Sequence, residues 1–276
     1  MSLKNFLYII LIFLICISCS KKEVKKSIIT EKSLDLQVLE AYEEGKEALE
    51  LGDVLYAAKK FNEAEILYPQ SNWAPKSALM AAYSYYIQDY YGDAIAELIR
   101  FQRVYPQSKN LDYVSYLLAI CYYEQIVDEK KDLHSIVNAK KTFEKVIKEY
   151  PNTEYAIDSK FKIDLINNIL ASKEMYIGRY YLDKKKWIPA INRFRSVVDE
   201  YDTTIYVEEA LYRLVEVYYI LGLENEAKKY AKLLGYNYKS SIWYEKSYSK
   251  FNENYKKKKK EKEKNSILVK VKSIFD

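Results

Sequence analysis

Few residues in this sequence bend or break a chain: only 6 glycines and 5 prolines occur among 276 residues. That scarcity excludes a many-turned β fold and, with abundant Leu, Ile, Ala, Lys, Glu and Tyr, favours long helices joined by short connections. Histidine is nearly missing. His134 is the sole copy, placed in a charged stretch expected to be a loop, so a His general base or a His-containing metal site has almost no material. No G-x-S-x-G, H-E-x-x-H or Gly-rich phosphate loop is present. The paired carboxylates Glu43/Glu44, Glu208/Glu209 and Glu224/Glu226 are what 39 acidic residues on helical surfaces produce by chance. No catalytic residue, metal ligand or cofactor is therefore assigned. The formal net charge of +5 is interspersed with acid and leaves no broad basic face for nucleic-acid phosphates.

The N-terminus reads as an address. Lys4 precedes an apolar stretch from Phe6 to Ile17, after which Ser18-Cys19 meets the polar Ser20-Lys21-Lys22-Glu23. That is a secretory signal layout, too short for the ~20 residues of a spanning helix. Cys16-Ile17-Ser18-Cys19 resembles a bacterial lipobox, in which the cysteine after a small residue is acylated and becomes the mature N-terminus. Ordinary cleavage nearby is the alternative. The resemblance makes Cys19 the lipidation site, with anchoring through several acyl chains at roughly 0.8 kcal/mol per buried CH₂. In such lipoproteins Ser20, rather than Asp, implies the outer membrane. Cys121 then remains without a partner, within Leu117-Leu118-Ala119-Ile120-Cys121-Tyr122-Tyr123, and reads as a small buried hydrophobe.

One spacing recurs five times: alanine followed eleven residues later by tyrosine, at Ala57/Tyr68, Ala94/Tyr105, Ala139/Tyr150, Ala190/Tyr201 and Ala227/Tyr238. Pro69, Pro106 and Pro151 follow the first three tyrosines, and each is expected to stop a helix. Four residues after the alanine stands Phe61, Leu98, Phe143, Phe194 or Ala231, which sets an apolar stripe at helical period. The pattern resembles the tetratricopeptide repeat, a helical pair of about 34 residues. The anchor alanines lie 37, 45, 51 and 37 residues apart. The extra length in the middle intervals is assigned to a loop around Asp128 to Ser135 and to a long helix from about Glu154 to Tyr181, uninterrupted by Gly or Pro before Gly178. The expected fold is all-α, with five tetratricopeptide-like hairpins stacked into a superhelical solenoid whose groove is a binding surface. Its parts are a signal peptide at 1–18, a lipidated cysteine and polar tether at 19–36, the repeat domain at 37–245 and a lysine-rich tail at 246–276.

Thirty tyrosines are the oddest feature of the composition. Most suit packing at repeat positions, but Tyr83, Tyr85, Tyr86, Tyr90 and Tyr91 are too dense to face inward together. Tyr42, Tyr83 and Tyr86 are candidates for lining a peptide groove, since tyrosine offers contact area at low entropic cost. The run from Lys256 to Lys264 holds seven lysines and two glutamates. It is either a solvated extension or an element for anionic lipid or an acidic partner.

Two stretches carry a closer resemblance. Asn110-Leu111-Asp112-Tyr113-Val114-Ser115-Tyr116, and Tyr176 to Asp202 with Trp187 and Ala190-Ile191-Asn192-Arg193, resemble the third and fourth repeats of the BamD family of outer-membrane assembly lipoproteins. The similarity covers about residues 16 to 238. It implies a non-enzymatic scaffold of the BAM complex, lipid-anchored at the periplasmic face of the outer membrane. The implied partners are the last periplasmic domain of BamA, the other BAM lipoproteins and unfolded outer-membrane β-barrel proteins. Arg193 matches a family arginine that contacts an acidic residue of BamA; a solvated surface arginine is the plain alternative. The family's client groove corresponds to about residues 40 to 106. A different periplasmic tetratricopeptide lipoprotein, serving cell division or pilus assembly, would share fold and lipidation and differ only around Tyr113 and Arg193.

Overall fold

The computed structural model describes residues 32–126 and 133–252. Within them the chain forms eleven helices and no strand: α1 (Leu34–Glu50), α2 (Val54–Leu67), α3 (Ala74–Ile87), α4 (Tyr91–Val104), α5 (Leu111–Glu124), α6 (His134–Glu149), α7 (Glu154–Asp183), α8 (Trp187–Glu200), α9 (Val207–Ile220), α10 (Glu224–Asn237) and α11 (Ile242–Phe251). Five consecutive hairpins run from α1/α2 to α9/α10, and α11 follows as a sixth first helix, the last element among the described residues. The signal segment, Cys19, most of the Asp128 to Ser135 stretch and the Lys256 to Lys264 run lie outside the described residues.

The recurrent tyrosine ends every second helix. Tyr68, Tyr105, Tyr150, Tyr201 and Tyr238 are the residues at which α2, α4, α6, α8 and α10 stop, with φ between −120° and −147°. The carbonyl of each accepts the N–H of a serine or threonine three residues on, Ser71, Ser108, Thr153, Thr204 or Ser241, at 3.0 to 3.2 Å. The hydroxyls of Ser71, Thr153 and Ser241 in turn accept from the backbone N–H of Ala74, Ala156 and Trp243, which satisfies donors left open at the start of the next helix. The turn forms identically at Tyr201 and Tyr238, where no proline follows. The helices before Pro69, Pro106 and Pro151 stop where expected, and proline reinforces the extended backbone of the residue before it, but the turn does not require it.

Inside a hairpin the chain reverses through a left-handed residue, at Gly52 (φ 82°), Asp89 (φ 62°), Lys185 (φ 57°) and Gly222 (φ 75°). Each is followed by an N–H that reaches back five residues, as Asp53 does to Ala48 at 2.9 Å and Leu223 to Tyr218 at 2.9 Å. This is the Schellman closure.

Packing in the first, second and fourth hairpins follows from size matching. All five anchor alanines are fully buried, as are Phe61, Leu98, Phe143 and Phe194. The residue twelve places before the anchor is small where the one four places after is large: Gly45 with Phe61, Ala82 with Leu98, and Gly178 with Phe194. A Cβ on Gly45 would meet Phe61 at 2.9 Å, so glycine is what admits the ring. The apolar clusters span successive hairpins, one joining α3, α4 and α5, the next α5, α6 and α7, the last α7 through α11, so the core is a continuous line rather than a centre.

The helix expected from about Glu154 to Tyr181 exists as α7, 30 residues long against 14 for α8. His134 opens α6 instead of lying in a loop. The repeat domain expected at 37–245 is overrun at both ends, since α1 begins at Leu34 and α11 runs unbroken across 245 to Phe251. Among the described residues, no helix is long and apolar enough to cross a membrane.

Candidate functional site

The residues singled out for chemistry have other uses in the structure. Cys121 is fully buried, and desolvation pushes its thiol up to about 12, the opposite of an activated nucleophile. His134 Nε2 lies 2.9 Å from Asn138 Nδ2 one turn along α6. Among the described residues no three His, Cys, Asp or Glu side chains come together in a way that could hold a metal ion. Five of the six carboxylates are held in separate ion pairs and hydrogen bonds: Glu43 with Lys46, Glu44 with Lys60, Glu209 with Arg179 and Arg213, Glu224 with Lys228, and Glu208 with the Ser241 hydroxyl.

Arg193 projects from α8 beside the buried Phe194, with its side chain 44% exposed. Its Nη1 donates to both carboxylate oxygens of Glu174 on α7, at 3.2 and 3.0 Å. The guanidinium is thus presented at the surface by a fixed acidic partner and keeps its remaining N–H donors for another acceptor. Sequence reading placed Arg193 off the buried stripe, where it stands, but did not foresee Glu174, because the two are 19 residues apart and meet only when α7 and α8 pair.

The tyrosines proposed for a groove separate into two settings. Tyr42 on α1 is wedged between Phe61 (5.3 Å between ring centroids) and Trp73 (5.0 Å), and burial raises its phenol. Tyr83 and Tyr86 lie together on α3 at 6.2 Å, and Tyr86 continues to Tyr91 at 6.2 Å. A second aromatic group joins α5 to α7, with Tyr155 5.6 Å from Tyr113 and 5.1 Å from Tyr116. There burial pushes Tyr113 up to about 12, and the Tyr116 hydroxyl donates to Asp158 at 2.7 Å. Tyr83 and Tyr86 are half-buried, able to offer ring edges while staying packed.

Two polar networks escaped the sequence reading. Glu65 on α2 is buried and receives both arms of Arg100 from α4 at 2.8 and 2.6 Å and the hydroxyl of Tyr105 at 2.6 Å. A buried carboxylate needs such partners, and the only hint was a tyrosine at every turn. At the other end Arg179, Glu209, Arg213, Glu216 and Lys250 form a ladder over α7, α9 and α11, with contacts of 2.9 to 3.2 Å. Burial alone would raise the Glu216 carboxyl, but Arg213 and Lys250 together hold it below its ordinary value. Arg213 also stacks over Tyr212 and Trp243, at 5.6 Å from each ring, which seats α11 on α9.

Comparison with known proteins bears on this surface. Residues 34–233 match the family described as "YfiO: Outer membrane lipoprotein". A curated relative from Rickettsia prowazekii named outer membrane protein assembly factor BamD is 45% identical over 75% of this chain and 82% of its own length. One of the same name from Caulobacter vibrioides is 40% identical over 86% of this chain and 76% of its own length. Among solved structures, Pseudomonas aeruginosa PilF aligns with 79% of this chain at 14% identity and a TM-score of 0.23. With a family match over most of the repeat array and relatives at this identity, the chain belongs to the YfiO family of outer membrane lipoproteins, the family of the BamD assembly factors.

Proposed function

We propose that this chain is a non-enzymatic docking scaffold of the BAM complex, held at the periplasmic face of the outer membrane by acyl chains on Cys19. In this reading the α7/α8 region binds the last periplasmic domain of BamA through Arg193, other BAM lipoproteins share the solenoid, and unfolded β-barrel proteins engage the first hairpins near Tyr42, Tyr83 and Tyr86. The 45% identity with a protein named as an outer-membrane protein assembly factor carries the reading. A stacked array of hairpins supports it physically, because such arrays expose extended binding surfaces. The half-exposed guanidinium of Arg193, oriented by Glu174, suits a charge-assisted pair with a carboxylate on a partner.

The test is purification of the full chain from its own membranes under mild detergent, followed by identification of what accompanies it. Recovery of BamA in stoichiometric amount is expected. Recovery of a cell-division or pilus-assembly machine in its place would overturn the assignment.

A further inference from the structure

Helix α11 repeats the first helix of a hairpin in register. Counted from the serine or threonine after each turn tyrosine, Ser247 matches Ser77 in α3 and Ser159 in α7, and all three are buried. By the same count Tyr244, Tyr248 and Phe251 stand where α9 has Val207, Leu211 and Leu214 and α3 has Ala74, Ala78 and Ala81. Those six residues are buried. In α11 the three positions remain partly open, Tyr248 to 43%, since no second helix packs on α11 among the described residues.

The facing side of α10 is pared down at the same place. Ala231 stands where four other hairpins carry Phe61, Leu98, Phe143 and Phe194, and Gly235 admits the Tyr244 ring, which a Cβ there would meet at 2.6 Å. The result is a groove of about 640 Å³ between α10 and α11, floored by these small and aromatic residues. Its lining includes Lys228, Lys232 and Lys239 and no carboxylate. Lys228 is engaged by Glu224 at 3.1 Å, while Lys232 and Lys239 are exposed.

We propose that this groove docks an acidic amphipathic helix of a partner protein, which packs on α11 as a second helix packs on the first in each hairpin. An apolar stripe on that helix would cover Tyr248, Phe251 and Ala231, and carboxylates beside the stripe would meet Lys232 and Lys239. Charge decides against this chain's own continuation as occupant, because its run from Lys256 to Lys264 carries seven lysines and would bring like charge to a lysine rim. The surface lies on helices other than the one that carries Arg193, so either site can fail without the other.

The probe is a fluorescein-labelled helical peptide of roughly 15 residues, with Leu and Phe along one stripe and Glu on both flanks, titrated into the full chain and followed by anisotropy. The expected result is binding at least about tenfold tighter than that of the same peptide with every Glu replaced by Lys. Lys232→Glu/Lys239→Glu should weaken the acidic peptide about tenfold or more, Tyr248→Ala should weaken it too, and Arg193→Ala should leave it unchanged. Equal affinity for the two peptides, or full binding by the double lysine variant, would overturn the proposal. So would binding of phosphatidylglycerol vesicles that depends on Lys232 and Lys239 when the acidic peptide does not bind.

Discussion

Gly178 on α7 lies directly against the ring of Phe194 on α8, so closely that a Cβ at residue 178 would stand 2.6 Å from Cε1 of that ring. Gly178→Ala gains helix propensity of up to about 1 kcal/mol but overfills a closed contact, and the net expectation is a loss of about 1 to 2 kcal/mol. Pairing it with Phe194→Leu copies the combination of Ala82 and Leu98 in the second hairpin and should recover much of the loss. Urea unfolding of the three variants is the measurement; an additive double variant would mean that the two positions do not share one space.

Arg193 is tied to Glu174 at 3.0 Å, which changes how its role is tested. Arg193→Glu would set two carboxylates side by side within the protein, so a weakened complex could reflect local repulsion. Arg193→Ala together with Glu174→Ala removes both charges. If the arginine pairs with a largely desolvated carboxylate of BamA, the double variant should lose about 2 to 5 kcal/mol of binding, with circular dichroism and melting changed little because Arg193 is half-exposed and both partners are removed together. Affinity equal to that of the unmodified chain would end the assigned role.

Glu216 ties the pH response to α11. Its folded carboxyl is held below the ordinary value by Arg213 and Lys250 despite burial. Its contribution is therefore complete above the unfolded glutamate value, ~4.3, and is lost as pH falls through the folded value. Glu216→Gln should cost roughly 1 to 3 kcal/mol at pH 7, and its deficit should shrink as pH falls below ~4.3 and through the folded value. Urea midpoints across that range read both; a deficit independent of pH would show that packing, not charge, is responsible.

Cys19→Ala should abolish fatty-acid labelling and association with outer-membrane fractions. Continued labelling of the variant would place the anchor elsewhere.

Much of the architecture was legible in one dimension because a stacked repeat writes its contacts locally. The alanine-to-tyrosine spacing, the stripe through Phe61, Leu98, Phe143 and Phe194 and the unbroken run that became α7 are all set by residues within one hairpin, where helical period decides which side chains share a face. Buried Cys121 and the family membership were readable for the same reason. Proline marked three helix ends correctly, and the turn at Tyr201 closes without one through Thr204. What tertiary structure alone decided are the pairings between helices: Arg193 with Glu174 inside the fourth hairpin, and Arg100 with Glu65 and the ladder from Arg179 to Lys250 between hairpins. A charged side chain on a helix has the same local pattern whether it faces water or a carboxylate 35 residues away. Which of these it meets depends on the angle at which one hairpin stacks on the next, and that angle is set by the sizes of the residues packed between them.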